Sequence, residues 1–360
     1  MVKKENIISI VEAGGTGIEV SDIFKKIVKK LCDTNITFLS FKDEFGYYPS
    51  TFVALQKKFY NKNWEELKII VQKEKKDLIN FYNETQIKSI GMFRTAVNAE
   101  TLYYVRKDIK KLKAIVLPVK IGNINKNIIF VRDQLQGYYT NEKFLLKNDE
   151  ININLKFSYE NFLLLTRFTK EFIDKLRIKN YDLFYVYKYH LFGLELQKMI
   201  ERAVKKTNIK LKDDFHIFQP DTAMHKLLGG LSKIKSENVV VVVGNEIGDV
   251  LLEALVHYFG IANKETFYTL NVAFIDKKQK LEVLQTMHGS ADDIAGKQLL
   301  NPLAAIRAAG YALENWLMVP NAVNRIEKAI QKAIHDKILT KDMGGKSKTD
   351  EVVDYIINNL

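Results

Sequence analysis

The ten residues His288-Gly289-Ser290-Ala291-Asp292-Asp293-Ile294-Ala295-Gly296-Lys297 gather an imidazole, two carboxylates, two glycines and a lysine just before a long helical pattern. Asn301-Pro302 follows closely. Glycine and small side chains let a ligand approach the backbone, and the polar groups around them could then read it. A polar capped turn before a helix would explain any one of these residues, but not the string.

A second constellation is acidic. Five valines in a row, Val239 to Val243, form a buried strand that ends at a glycine turn, Gly244. Beyond it Asp249 and Glu253 stand four apart in a helical pattern, hence on a single face. Two carboxylates so placed can ligate a hard divalent cation through oxygen, and the end of a buried strand is where α/β proteins place ligands. The rival reading is a solvated helix face. Asp221, in Gln219-Pro220-Asp221-Thr222, reads by itself as a turn and helix cap.

Together these segments resemble the isocitrate/isopropylmalate dehydrogenase family, the β-decarboxylating dehydrogenases. The string from His288 to Lys297 is similar to the family's nucleotide-binding loop. The resemblance assigns His288, Gly289, Ser290, Ala291, Asp293, Ile294 and Asn301 to the cofactor. A carboxylate at Asp293 can accept hydrogen bonds from a ribose 2′-hydroxyl and would repel a 2′-phosphate. Members using NADP tend to carry Lys-Tyr there, so NAD is implied.

Gly244 to Glu253 resembles the family's Asn-Leu-Phe-Gly-Asp-Ile-Leu-Ser-Asp metal segment, with Glu253 replacing the second Asp. The stretch around Asp221 and Met224 resembles a Val-Asp-x-x-x-Met segment whose Asp reaches the metal from the neighbouring subunit. Asp221, Asp249 and Glu253 are thereby implied ligands of Mg²⁺ or Mn²⁺. Lys188, in Phe184-Tyr-Val-Tyr-Lys188, aligns with the family's catalytic lysine, and Tyr139, after Gly137-Tyr138, with its catalytic tyrosine. Lysine and tyrosine side chains ordinarily titrate near pH ~10, so neutral-pH chemistry would need neighbouring charge. Arg106 and Arg132 match two of the family's three substrate arginines, and Thr101 lies in the segment that reads the substrate's third substituent.

Some positions depart from the pattern. Leu117 stands where the remaining arginine is expected, a loss of ~1.5–3 kcal/mol on the scale of charge-assisted hydrogen bonds. His190 replaces an Asn and Asp292 a Pro. Glu100-Thr101-Leu102 leans toward isopropylmalate-type members, whereas Leu339 to Thr349 looks more like isocitrate-type ones.

The resemblance implies NAD- and divalent-metal-dependent oxidative decarboxylation of a 3-substituted malate. Lys188 would be the base near the hydroxyl and Tyr139 the acid at the carbanion. Because the family borrows the lysine and one Asp across a two-fold axis, a homodimer or related heteromer is expected. The alternative is a catalytically impaired regulatory or binding subunit on the same fold.

Elements must position these groups. Asn6 to Glu12 reads as a buried strand, Gly14-Gly15-Thr16-Gly17 as the turn after it, and Ile18 to Leu31 as a helix. Val20 occupies the third glycine position of a G-x-G-x-x-G fingerprint, so no standard dinucleotide fold is signalled. Helical patterns cover Trp64 to Phe81, Phe162 to Ile178, Glu195 to Lys206 and Leu303 to Asn315. Strands are expected at Ala114 to Val119, Ile128 to Val131, Leu183 to Tyr187, Val239 to Val243 and Tyr268 to Phe274. Alternation from Ile151 to Phe157 predicts a strand buried on one face.

The mixture is α/β. The family resemblance adds an isopropylmalate dehydrogenase-like two-domain fold with mixed sheets. A discontinuous cofactor-binding domain would comprise residues 1–111 and 260–360. A central domain, 112–259, would hold substrate, metal and dimerisation surfaces, with a β-arm near 140–157.

With 360 residues and 47% apolar content, the chain can build two sizeable cores. No apolar run approaches a membrane span. The opening residues run straight into a strand pattern without a signal or transit segment, so a cytoplasmic protein is expected. The single cysteine, Cys32, excludes an internal disulfide framework and is expected in the core. A net charge of +12 raises nucleic acid as a partner. The lysines, however, sit on solvated helix faces such as Phe24 to Lys30, with no aromatic-basic box or zinc pattern. A small anionic substrate, not nucleic acid or membrane, is the expected partner.

Overall fold

The computed structural model describes residues 6–12, 14–42, 64–95, 109–121, 123–137, 144–147, 150–153, 155–209, 215–260, 267–275, 279–287 and 291–360. Its strands are β1 (Ile7–Glu12), β2 (Thr37–Lys42), β3 (Gly91–Arg94), β4 (Lys110–Ile121), β5 (Ile124–Gln134), β6 (Phe144–Lys147), β7 (Glu150–Ile153), β8 (Tyr181–Val186), β9 (His216–Phe218), β10 (Asn238–Gly244), β11 (Tyr268–Ile275) and β12 (Gln279–Thr286). The helices are α1 (Gly17–Leu31), α2 (Trp64–Lys88), α3 (Tyr159–Lys175), α4 (Gly193–Thr207), α5 (Pro220–Met224), α6 (Asn245–Tyr258), α7 (Leu303–Asn315), α8 (Ala322–His335) and α9 (Thr349–Asn358). Two compact units emerge: Met1–Ile109 with Asn263–Leu360, and Lys110–Ala262.

The first unit orders its strands β2-β1-β3-β12-β11. β1 pairs in parallel with β2 and β3, and β3 with β12, while β11 runs antiparallel to β12. Strand pleat sends successive side chains to opposite faces, and β3 uses both. Phe93 stacks on Phe24 of α1 at 4.1 Å between ring centroids. Met92 packs with Leu78, Phe81 and Tyr82 of α2. A buried hydroxyl chain ties α2 to β1: Thr85 donates to Ser9 at 2.9 Å, and Ser9 lies 2.7 Å from Ser89. α7 packs on α1 and α8. At its end the Trp316 indole N–H donates to Glu282 of β12 at 2.8 Å.

The second unit orders its strands β4-β5-β10-β8-β9. β4 and β5 form a long antiparallel pair, and β5, β10, β8 and β9 run parallel. Every residue of β10, Asn-Val-Val-Val-Val-Val-Gly, is buried, as expected for a parallel strand covered on both faces. The parallel strands therefore deliver their carboxyl ends to one edge. β6 and β7 form a separate two-stranded antiparallel sheet.

Two expectations need correction. The alternating stretch from Ile151 is strand only to Ile153. Phe157 instead leaves the ladder to stack on Phe162 and Phe192, with centroids 6.4 and 5.6 Å away. Cys32 is not a core residue: it caps the carboxyl end of α1, partly exposed, with its sulfur 3.0 Å from the Thr34 hydroxyl.

Candidate functional site

At the carboxyl edge of the second unit, Arg132 of β5 lies beside Val243 of β10, which lies beside Val186 of β8. The Arg132 stem runs along α6 because position 248 is glycine; a Cβ there would sit 3.3 Å from its Cγ and Cδ. Its Nε donates to Asn245 Oδ1 at 2.6 Å. Its Nη1 and Nη2 both donate to the carboxylate of Asp249, Nη2 to Oδ2 at 2.5 Å. This is a charge-assisted fork, closed on the arginine side and open to water on the aspartate side, whose side chain is 54% exposed. The expected substrate arginine thus grips the expected metal ligand.

Asp133, the next residue, is fully buried. It accepts hydrogen bonds from Leu135 N at 2.9 Å, Gln136 Nε2 at 2.8 Å and Tyr187 Oη at 2.8 Å. Burial pushes its carboxyl up from 3.8 to about 6; those three donors pull it down, and the nearby Glu246 adds to the rise. Tyr187 is held well above its usual 10, first by burial and then by Asp133. Its ring is wedged edge-on against Phe162 at 5.4 Å and Phe157 at 6.1 Å. Glu246 sits alongside with a buried Oε2 that makes no hydrogen bond. A Cβ on Gly137 would come within 3.0 Å of that oxygen, and at φ +91 position 137 favours glycine on backbone grounds as well.

This cluster fixes the roots of the segments that carry the expected acid and base. Tyr187 precedes Lys188, which is exposed beyond β8. Gln136 and Gly137 lead toward Tyr139. Tyr139, Thr101, Arg106, His288, Gly289 and Ser290 lie outside the described residues.

Asp249 and Glu253 do lie one turn apart on α6. Glu253 Oε2 is 3.9 Å from the His257 ring nitrogen. Asp221 sits exposed in the first turn of α5, a short helix that packs on α6. Among the described residues, no three His, Cys, Asp or Glu side chains gather as a metal-holding group. Carboxylate oxygens suit Mg²⁺ or Mn²⁺ as donors, yet one chain does not assemble the three.

In the first unit, residues 291–298 form a chain of tight turns. Ala291 and Gln298 adopt left-handed backbone at φ 45 and 59, a conformation that costs a non-glycine residue ~1–2 kcal/mol. Asp293 is exposed and Ile294 half-buried. Glu19, in the first turn of α1, accepts a hydrogen bond from Gly296 N at 2.6 Å. Asn301 is a buried anchor: Nδ2 donates to Asp342 at 2.8 Å, and Oδ1 accepts from Leu303 N at 3.1 Å. Thr349 Oγ1 donates to Leu300 O at 2.7 Å, a further tie between this loop and the C-terminal segment.

Asp133, Gln136, Tyr187, Asn245 and Glu246 are not singled out by sequence reasoning. The available signal is adjacency, since Asp133 follows Arg132 and Tyr187 precedes Lys188.

A family model described as isocitrate/isopropylmalate dehydrogenase matches residues 7–356. The chain belongs to that family. Its members are β-decarboxylating dehydrogenases, so this isocitrate/isopropylmalate dehydrogenase-family chain falls among oxidoreductases. It is 24% identical to an isocitrate/homoisocitrate dehydrogenase of Pyrococcus horikoshii, over 98% of this chain and 92% of that protein. It is 35% identical to a 3-isopropylmalate dehydrogenase of Novosphingobium aromaticivorans over 130 residues, which span 34% of each protein. The fold matches the isocitrate dehydrogenase of Methylococcus capsulatus with a TM-score of 0.67 at 17% identity, covering 99% of both chains. It also matches a β-decarboxylating dehydrogenase of Thermococcus kodakarensis with a TM-score of 0.63 at 19% identity, covering 99% of this chain and 96% of that one.

Proposed function

We infer that the chain oxidises and decarboxylates a 3-substituted malate of the isocitrate or 3-isopropylmalate type, using NAD and Mg²⁺ or Mn²⁺. The observation that carries this reading is the Arg132–Asn245–Asp249 cluster at the carboxyl ends of parallel strands, in a chain whose family match is nearly end to end. Bound cofactor and cation would supply a hydride acceptor and a positive charge beside the substrate hydroxyl.

The chain's own residues would do the rest. Arg132, once released from Asp249, would hold a substrate carboxylate, with Arg106 as a second fork. Lys188 would take the hydroxyl proton, and Tyr139 would return a proton to the carbon left by carbon dioxide. Thr101 would meet the third substituent. Ala291, Asp293 and Ile294, with His288, Gly289, Ser290 and Asn301, would surround the dinucleotide. Asp249 and Glu253 would be completed as metal donors by Asp221 of a second copy, which requires a homodimer or related heteromer. The partner is thus another copy and a small anion, in the cytoplasm, rather than nucleic acid or membrane. Among the described residues no helix is long and apolar enough to cross a bilayer.

A second reading, a non-catalytic subunit on this fold, is favoured by Leu117. That side chain is fully buried in β4 opposite Ile128, while the residue of β4 that stands opposite Arg132 is Lys113. NADH formation is the deciding measurement, with isocitrate, 3-isopropylmalate, homoisocitrate, malate and tartrate, each with Mn²⁺ and either nucleotide. Turnover with one 3-substituted malate is expected. NAD binding without turnover on any of them would select the second reading. Replacing Lys188→Met should lower kcat by ~10²–10⁴, and unchanged turnover would remove the assigned base.

A further inference from the structure

Buried arginine side chains ordinarily come with a carboxylate, because a lone charge away from water is among the costliest features a fold can carry. Arg94 breaks that rule. It ends β3, beside Val11 of β1 and Gln285 of β12, at the carboxyl ends of three parallel strands of the first unit. Strand alternation puts it on the face of Met92, against Tyr82 of α2, and it is 5% exposed. Nη2 donates to the Gln285 side-chain oxygen. Nη1 is buried and donates to nothing.

Among the described residues, no carboxylate is one of the groups that act on Arg94. Glu12, at the neighbouring strand end, is committed to Lys25. The titratable group that acts on Arg94 is Tyr82, a phenol whose own burial keeps it protonated. Burial depresses the guanidinium, yet arginine stays charged in proteins. The backbone that carries it is fixed, because Thr95 donates to Val11 O through both its N–H and its hydroxyl, at 3.1 and 3.0 Å. The result is a rigid, buried and half-unpaired cation at the edge where α/β sheets take ligands.

We propose that Arg94 receives an oxyanion of a bound small molecule, a carboxylate or a phosphate, through the guanidinium edge that the ligand-free chain leaves unpaired. The ligand would supply the counter-charge that is lacking among the described residues. Because Nη1 is shielded from water, its surroundings must open for the anion to enter. The site adjoins the segments given to substrate and cofactor above, since Arg94 precedes Thr101 and Arg106 and Gln285 precedes His288 in the same unit, but a binding test that needs no turnover fails or succeeds apart from that reading.

Thermal melts by circular dichroism test it on the full chain, with sodium phosphate and sodium malate compared against sodium chloride at equal ionic strength. A rise in Tm on the order of 2–4 °C above the chloride control is expected in one anion. Malate alone would mark a carboxylate site, and phosphate alone a phosphate site. Arg94→Met should abolish that rise while itself melting no lower than the parent in chloride, because it removes an uncompensated charge. Arg94→Gln is the second variant should the methionine not fold, and Arg94→Lys should keep part of the response. The proposal is overturned if neither anion exceeds chloride, or if Arg94→Met or Arg94→Gln keeps the full rise.

Discussion

Asp133 is the residue on which the geometry of the second unit's edge turns, because one buried carboxyl receives donors from the two residues that follow β5 and from the residue just past β8. Its carboxyl, raised from 3.8 to about 6 by burial, binds a proton more tightly folded than unfolded. Stability from this group is therefore greatest below pH ~4 and is lost as pH rises through about 6, a span worth ~3 kcal/mol. Asp133→Asn should flatten that slope. Urea titrations of parent and variant from pH 4 to 7 would show the parent losing that much relative to the variant; parallel curves would refute the assignment. Arg132 was legible in the sequence through the family resemblance, and Asp249 through that resemblance and its helical spacing to Glu253 after the valine strand. Their mutual pairing was not, since it joins positions 117 apart. The same holds for Asp133 and Tyr187, 54 apart, whose hydrogen bond exists only once the strands are ordered.

Elements were easiest to read where burial is complete. The valine run of β10 and the alanine-rich α7 declare themselves, because both faces of one and most of the other are covered. β3 escaped notice: it is four residues long and ends in a charged one. β12, Gln-Lys-Leu-Glu-Val-Leu-Gln-Thr, carries polar residues that find partners across the sheet and on α7, so composition hid it. The loop from Ala291 to Pro302 is an element in its own right, held by Glu19, Asp342 and Thr349. The sequence marked Asn301 as a cofactor contact, and the structure gives it two internal bonds. Asn301→Ala should thus cost ~1–2 kcal/mol in the absence of any nucleotide. Chemical denaturation of the ligand-free protein decides it, because an unchanged midpoint would leave Asn301 no structural role.

At the scale of the molecule, the net charge of +12 stands, but some of the lysines behind it are matched by nearby carboxylates. On α1, Lys25 meets Glu12 and Lys26 meets Asp354, so two of the four lysines between Phe24 and Lys30 are paired with carboxylates. The surface past β8, where Leu191 is 99% and Leu194 69% exposed just after Lys188, is where the proposed second copy would dock. If the chain is a homodimer through this face, Leu191→Asp with Leu194→Asp should sediment as a monomer where the parent sediments as a dimer. A double variant that remains dimeric would move the interface elsewhere.

The division into two units also decides how unfolding can be watched. The chain has two tryptophans, Trp64 and Trp316, and both belong to the unit made from the chain's two ends. Residues 110–262 contain no tryptophan, so the half that carries Arg132 and Asp133 needs a reporter of its own.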